Sequence, residues 1–172
     1  VQKEYRNLVS RKDFYKVHPG PAPWDSEPDV IVGTYRGFAY AILRNPWIGA
    51  LTGYVAMPQK HPWYNMDYED IPAYIESDEG SWRVHGGLTY ARGCLGYDGL
   101  CTITVPGNPV WWVGFDTAHS GDFQPTGVLN VGNARVGAYR TVGYVFEQIL
   151  NLTRKASERG EGPDIFPDVH LG

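Results

Sequence analysis

The sequence predicts an α+β fold: a single domain in which an antiparallel sheet of about four to six strands is covered by one C-terminal helix, with long loops between. Three observations predict it. Aromatic residues make up 14 % of the chain beside 21 Gly and 13 Pro, a composition that favours strands joined by turns over a helical bundle. Runs of β-branched and aromatic residues recur through the first two thirds, each bounded by turn residues. One segment near the C-terminus spaces its apolar residues at helical period. With 172 residues the chain can bury roughly 70 % of the surface its unfolded form exposes. No internal repeat or second domain is legible, so residues 1–172 read as one unit.

Residues 1–17 read as a short helix whose Lys3, Arg6, Arg11, Lys12 and Lys16, interleaved with Tyr5, Phe14 and Tyr15, form a solvated face or a contact arm. The prolines of residues 18–29 fix φ and remove donors, which makes an extended connector. Val30 to Arg44 and Ala50 to Met57, with the Asn45-Pro46 turn between, read as neighbouring antiparallel strands. Pro58 to Tyr74 has no period and reads as a long surface loop. Trp82 to Tyr90, Leu100 to Val105 and Val110 to Asp116 have strand character, separated by Gly-rich and Pro-rich turns. After an irregular Phe123 to Gly137, Ala138 to Ser157 places Val142, Val145, Phe146, Ile149, Leu150 and Leu152 near helical spacing, and this helix covers a sheet face. Residues 160–172 read as a flexible tail.

The net charge of −4 and pI near 5.7 argue against a nucleic-acid binder, which needs a concentrated basic surface. No apolar run approaches the roughly 20 residues of a bilayer span, so the chain reads as soluble and cytosolic. Cys94 and Cys101 are too few for a secreted disulfide framework. They read as reduced thiols flanking a turn, with a structural zinc shared by two histidines as the alternative. Asn151-Leu-Thr153 matches a glycosylation acceptor but falls inside the expected helix and is set aside.

Function is best sought where the apolar strand from Val110 breaks into Asp116, His119 and Asp122, three titratable groups spaced three apart. Charge is seldom delivered from a buried strand unless it is paired. His85, followed by two glycines that permit close backbone approach, is the natural companion. Three readings follow. His85, Asp116, His119 and Asp122 suit a divalent zinc, manganese or iron ion that activates water. Alternatively, Tyr54, His61, Tyr64, His85, Thr89, Trp112, Asp116 and His119 line a recognition pocket of aromatic walls and a few polar groups. In the third, Asp116 staples a turn, His119 accepts that carboxylate, and Asp122 is ordinary turn chemistry. Trp111 and Trp112 point to opposite faces, so at most one belongs to a site. No Gly-x-Gly-x-x-Gly follows a strand and no Walker Gly-Lys-Ser/Thr occurs, which disfavours nucleotide-driven motors and dehydrogenases.

Gly53 to Pro58, His61-Pro with Tyr64, Val84-His-Gly-Gly-Leu-Thr-Tyr90, Trp111-Trp-Val-Gly-Phe-Asp-Thr-Ala-His-Ser-Gly-Asp122 and Tyr139-Arg together resemble a family of small proteins encoded largely by tailed bacteriophages and prophages. The likeness covers roughly residues 35 to 155. It implies a phage-encoded accessory protein in the host cytoplasm and attaches no reaction to it. Where relatives have Cys this chain has Thr117, which weakens a thiol metal site. By class-level analogy such a protein binds a host-derived small molecule, a nucleotide signal among them, or a host protein, with no cofactor required. The alternatives are a zinc- or manganese-dependent hydrolase built on His85, Asp116 and His119 with Asp122, and a virion structural component.

Overall fold

In the computed structural model, residues 2–15, 21–72, 84–95, 99–105, 107–127, 137–163 and 167 are described. Six strands form one antiparallel sheet: β1 (Gln2–Tyr5), β2 (Val30–Tyr35), β3 (Phe38–Arg44), β4 (Leu51–Pro58), β5 (Tyr90–Arg92) and β6 (Val110–Asp116), in the spatial order β1-β2-β3-β4-β6-β5. Among the described residues one helix, α1 (Val142–Arg159), lies against β3 and β4. The α+β class with a C-terminal helix on an antiparallel sheet is therefore the observed architecture.

The run from Val30 to Arg44 contains two strands because Arg36 and Gly37, at φ 51° and 79°, make the two-residue turn whose twist matches a hairpin. Side chains alternate between two apolar layers. Ile31, Phe38, Tyr40, Ile42, Val55, Met57, Val113 and Phe115 meet Val145, Ile149, Leu152 and Ala156 of α1. Val32, Ala39, Ala41, Tyr54, Ala56 and Trp112 pack on the other face under Leu100 and Ile103. Both faces are thus covered, which is why β3 and β4 read as near-continuous apolar runs.

The helix begins where Thr141 Oγ1 accepts from Tyr144 N at 3.2 Å and Glu27 Oε2 accepts from Val142 N at 2.6 Å. Satisfying orphan amides with an oxygen and a negative charge stabilises a helix N-terminus. The same Glu27 joins a buried network. Arg44, with a fully buried side chain, donates to Asp29 Oδ1 at 3.1 Å, to Gly49 O at 2.9 Å and to Tyr139 Oη at 2.9 Å, while Arg11 reaches Asp29 at 2.6 Å. Tyr139 Oη in turn donates to Glu27 Oε1 at 2.6 Å. Burial alone would raise the Asp29 carboxyl, but the Arg11 hydrogen bond, the Val9 and Leu8 amides and the Arg11 charge hold it below the usual carboxylate range.

Several expected elements differ. The N-terminal segment is the edge strand β1, not a helix: its polar residues alternate between exposed and half-buried, and pairing with β2 satisfies the backbone without an apolar stripe. Within the Pro-rich connector, Pro23–Asp25 forms a 3-10 turn that buries Trp24 against Phe123 and Tyr139. The loop after β4 is not a surface loop throughout, since Trp63 and Ile71 are core residues. Of the strand expected from Trp82 to Tyr90, residues 82–83 lie outside the described residues, Val84 to Thr89 turns and Tyr90–Arg92 is strand; Leu100–Thr102 is a 3-10 turn. Helix α1 starts at Val142 because Ala138 is committed to a bridge with Asp122. Residues 16–20, 128–136 and most of the tail expected to be flexible lie outside the described residues.

The cysteines are also corrected. Cys94 and Cys101 are joined as a disulfide, their Cα atoms 5.0 Å apart. That removes both the reduced pair and the structural zinc. Disulfides persist in oxidising surroundings, so the cysteines no longer support a cytosolic setting. No helix among the described residues is long and apolar enough to cross a membrane.

Candidate functional site

The site is assembled where β6 ends. Thr117, buried, anchors the strand end by donating from Oγ1 to Leu51 O at 2.7 Å, and Asp116 Oδ1 accepts from Ala118 N at 2.9 Å. A tight turn follows, closed by Asp122 N donating to His119 O at 2.9 Å, with Gly121 at φ +91°. The chain then bridges to Ala138: Phe123 N donates to Ala138 O at 2.9 Å and Ala138 N to Gly121 O at 2.8 Å. His85 arrives from the turn Val84 to Gly87, closed by Gly87 N donating to Val84 O at 3.0 Å.

Asp122 is the hub. Its side chain is only 1 % exposed, and each oxygen is engaged. Oδ2 accepts from His85 Nε2 at 2.7 Å and from His119 N at 3.0 Å, and Oδ1 accepts from Arg140 Nε at 2.8 Å. Burial alone would raise this carboxyl; the His85 and Arg140 hydrogen bonds, the His119 amide and the His85 charge pull it down to about 2. The other His85 nitrogen, Nδ1, pairs with Tyr144 Oη at 2.7 Å. In the neutral ring Nε2 donates to Asp122 and Nδ1 accepts from the phenol, so the two partners favour the same tautomer. Arg140 lies over the Tyr144 ring, its Cζ 4.8 Å from the centroid.

His119 completes the group. Its Nδ1 is buried and makes no hydrogen bond among the described residues, although it stands 3.4 Å from Asp116 Oδ1 and 3.5 Å from Asp122 Oδ2. A buried polar atom left unpaired is costly and calls for a reason. His85, His119 and Asp122 each offer one ligand atom, and these atoms all lie within 4.8 Å of one another. Ligands at about 2.0 to 2.2 Å around a tetrahedral ion stand about 3.3 to 3.6 Å apart, within reach of this spacing after small movements. Two imidazoles and one carboxylate form a set that holds zinc, manganese or ferrous iron with positions left open. Asp116, 35 % exposed, stands outside the trio, beside His119.

The structure thus brings together four of the sequence-derived candidates, His85, Asp116, His119 and Asp122, and inverts their weight: Asp122, which reads as turn chemistry, is central, and Asp116 is peripheral. Tyr54, Trp112, Tyr64 and His61 lie elsewhere. Tyr54 and Trp112 belong to the apolar layer on the sheet face away from α1, with Trp112 Nε1 donating to Thr104 Oγ1 at 3.0 Å. Thr89 is placed by its amide, which donates to Gly114 O at 3.0 Å. Tyr64 packs on Trp111, whose Nε1 donates to Met66 O at 2.9 Å. His61 is buried, Nε2 donating to Ala156 O at 2.9 Å and Nδ1 accepting from Trp63 N at 3.0 Å. Burial holds it below the ordinary imidazole range, against the Ala156 carbonyl, which favours its proton. Ala156 and Tyr144 are twelve residues apart on one helix, about 18 Å at ~1.5 Å per residue, so His61 and His85 serve opposite ends of α1. The His61 end adjoins a separate concavity of about 780 Å³ bordered by Lys60, Asn108 and Ser157.

Arg140 and Tyr144 were not among the sequence-derived candidates. Their only sequence signal is the Tyr139-Arg pair ahead of the helix and a tyrosine in its first turn. No family model matches the chain, and neither a curated protein nor a solved structure matches it.

Proposed function

We propose that the protein is a divalent-metal-dependent hydrolase whose ion is held by His85 Nε2, His119 Nδ1 and Asp122. The observation that carries this reading is the unpaired, buried His119 Nδ1 aimed at two carboxylates beside a second imidazole. The surroundings support it. A metal-binding imidazole is normally held through its other nitrogen, and Tyr144 Oη stands 2.7 Å from His85 Nδ1 to accept that proton once Nε2 carries the ion. Arg140 and the His119 amide brace the Asp122 carboxylate in the same way.

Three protein ligands leave a position for water, whose pKa a bound zinc lowers to about 7. Asp116, partly exposed and next to His119, is the base that takes the proton from that water. In the setting the resemblance implies, a phage-encoded accessory protein, the target is a small molecule of the infected host. A pocket with aromatic walls, the basis for a purely binding role, has less support because Tyr54, Trp112 and Tyr64 are packed away from His85.

Titration of the chelated, refolded protein with zinc and with manganese, followed by elemental analysis, tests the centre. The expected result is about one ion per chain, weakened at least about tenfold in His119→Ala with unchanged circular dichroism. Wild type and variant that both emerge free of ion would refute it.

A further inference from the structure

Resting on the metal centre proposed above, we infer that the substrate is a phosphate monoester, its phosphoryl group held between the ion and the outer fork of Arg140. Arg140 spends only Nε on the site, donating to Asp122 Oδ1 at 2.8 Å. Its two Nη amines have no hydrogen-bond partner among the described residues, and the side chain is 27 % exposed. The guanidinium plane is fixed from both sides, by the Asp122 carboxylate at Nε and by the Tyr144 ring 4.8 Å below Cζ. An arginine so oriented, with a free two-pronged edge beside a cation site, is a receptor for an oxyanion rather than a mobile surface charge.

Charge and atom count narrow the oxyanion. Asp116 and Asp122 balance a divalent ion, both histidines are neutral when ligating, and Arg140 leaves one positive charge over, so the site attracts an anion. Asp122 presents Oδ2, the oxygen it shares with His85, to the proposed ion and Oδ1 to Arg140, so the two receptors flank one carboxylate. Filling the Arg140 fork takes two oxygens and the ion takes a third. A phosphate monoester has three terminal oxygens; a carboxylate has two and leaves one receptor empty.

The reaction follows in balance. Asp116 removes a proton from the bound water, the resulting hydroxide forms the new P–O bond, and the ester P–O bond breaks. The proton on Asp116 passes to the leaving alkoxide, giving inorganic phosphate and an alcohol for one water consumed.

Calorimetric titration of inorganic phosphate, and separately of acetate, into manganese-loaded and metal-free protein tests this, with manganese affinity measured beforehand for every variant. Arg140→Lys keeps a positive charge beside Asp122 but loses the fork. With manganese at saturation for each variant's own measured affinity, it is expected to bind phosphate about tenfold more weakly than wild type, with acetate weak throughout. Phosphate binding that is equal in wild type and Arg140→Lys, or no stronger than acetate, overturns the inference while leaving the metal centre standing. A wild-type chain that takes no manganese or zinc overturns the centre itself, and the inference with it.

Discussion

Gly86→Ala tests the geometry of the site without replacing any proposed ligand. Gly86 sits at φ +68°, and a Cβ there would stand 2.4 Å from His119 Cε1 and 2.6 Å from both ring nitrogens. Two costs follow. The left-handed backbone conformation is worth about 1 to 2 kcal/mol to an alanine. The ring must also withdraw by about 1 Å to restore an ordinary contact of roughly 3.4 Å or more, since packed atoms do not interpenetrate. That withdrawal removes Nδ1 from its station 3.4 and 3.5 Å from the two carboxylates. The strain predicts a fall in melting temperature of about 2 to 8 °C for a chain of this length, and the displaced ring predicts at least about a tenfold loss of manganese affinity. Gly37→Ala is the control. Its φ of +79° carries the same strain, but a Cβ there meets nothing within 4 Å. It should lower the melting temperature comparably and leave manganese binding intact. Differential scanning calorimetry and metal titration on both variants decide the matter. Equal manganese affinity in Gly86→Ala and wild type would refute the placement of His119 against this turn.

Arg44→Ala should cost about 3 to 5 kcal/mol in urea unfolding, because it removes the buried cation that Asp29 and Glu27 share and leaves the Gly49 and Pro28 carbonyls without their donor; a loss under about 1 kcal/mol would show the network to be dispensable. Asp29 is held below its ordinary carboxyl range, so its contribution is present above about pH 4 and is lost as pH falls through the folded-state value. Asp29→Asn should therefore flatten the acid limb of the stability curve relative to wild type. His61 is held below the imidazole range by burial: the unfolded chain binds its proton first, and stability falls as pH drops below about 6.5. A melting temperature no less sensitive between pH 7 and 5 in His61→Gln would contradict that. Replacing Cys94 and Cys101 by Ser opens a loop with a sequence separation of 7 and should cost about 2 to 3 kcal/mol by loop entropy. Unfolding with and without reductant reads it directly.

The parts of the fold legible in the sequence are those written in local patterns. Val30 to Met57 and Val110 to Asp116 carry β-branched and aromatic runs between turn residues, and α1 carries a stripe at helical period. Gln2–Tyr5 escapes because an edge strand needs only one partner and no apolar face. Tyr54 and Trp112 mislead for a related reason. An aromatic on a strand marks a pocket wall only if its sheet face is open, and here Leu100 and Ile103 close that face. In the site, the break from apolar strand to charge locates Asp116 and His119, but Gly-Asp at 121–122 is locally indistinguishable from a solvated turn. Its burial is decided by Arg140 and His85, which are distant in the chain.

The strand-to-helix passage from Gly137 to Val145 explains how those distant groups are brought to one point. Ala138 is bridged to Asp122; Tyr139 turns the other way, into the buried pair of Glu27 and Arg44; Arg140 returns to Asp122. Thr141 then caps the helix, Glu27 receives the Val142 amide, and the first turn delivers Tyr144 to His85. Successive side chains alternate between a structural network and the site, so the same contacts that start the helix set the position of Arg140 and Tyr144. A site held within a fraction of an ångström has to be mounted on elements whose own positions are over-determined. It follows that Glu27→Gln, which touches no proposed ligand, should weaken manganese binding by about as much as it loosens the start of the helix. Hydrogen exchange at the Val142 to Val145 amides, measured alongside metal affinity, separates this from a purely local loss of stability. Faster exchange with unchanged manganese affinity would show that the two networks share a segment of chain without sharing its rigidity.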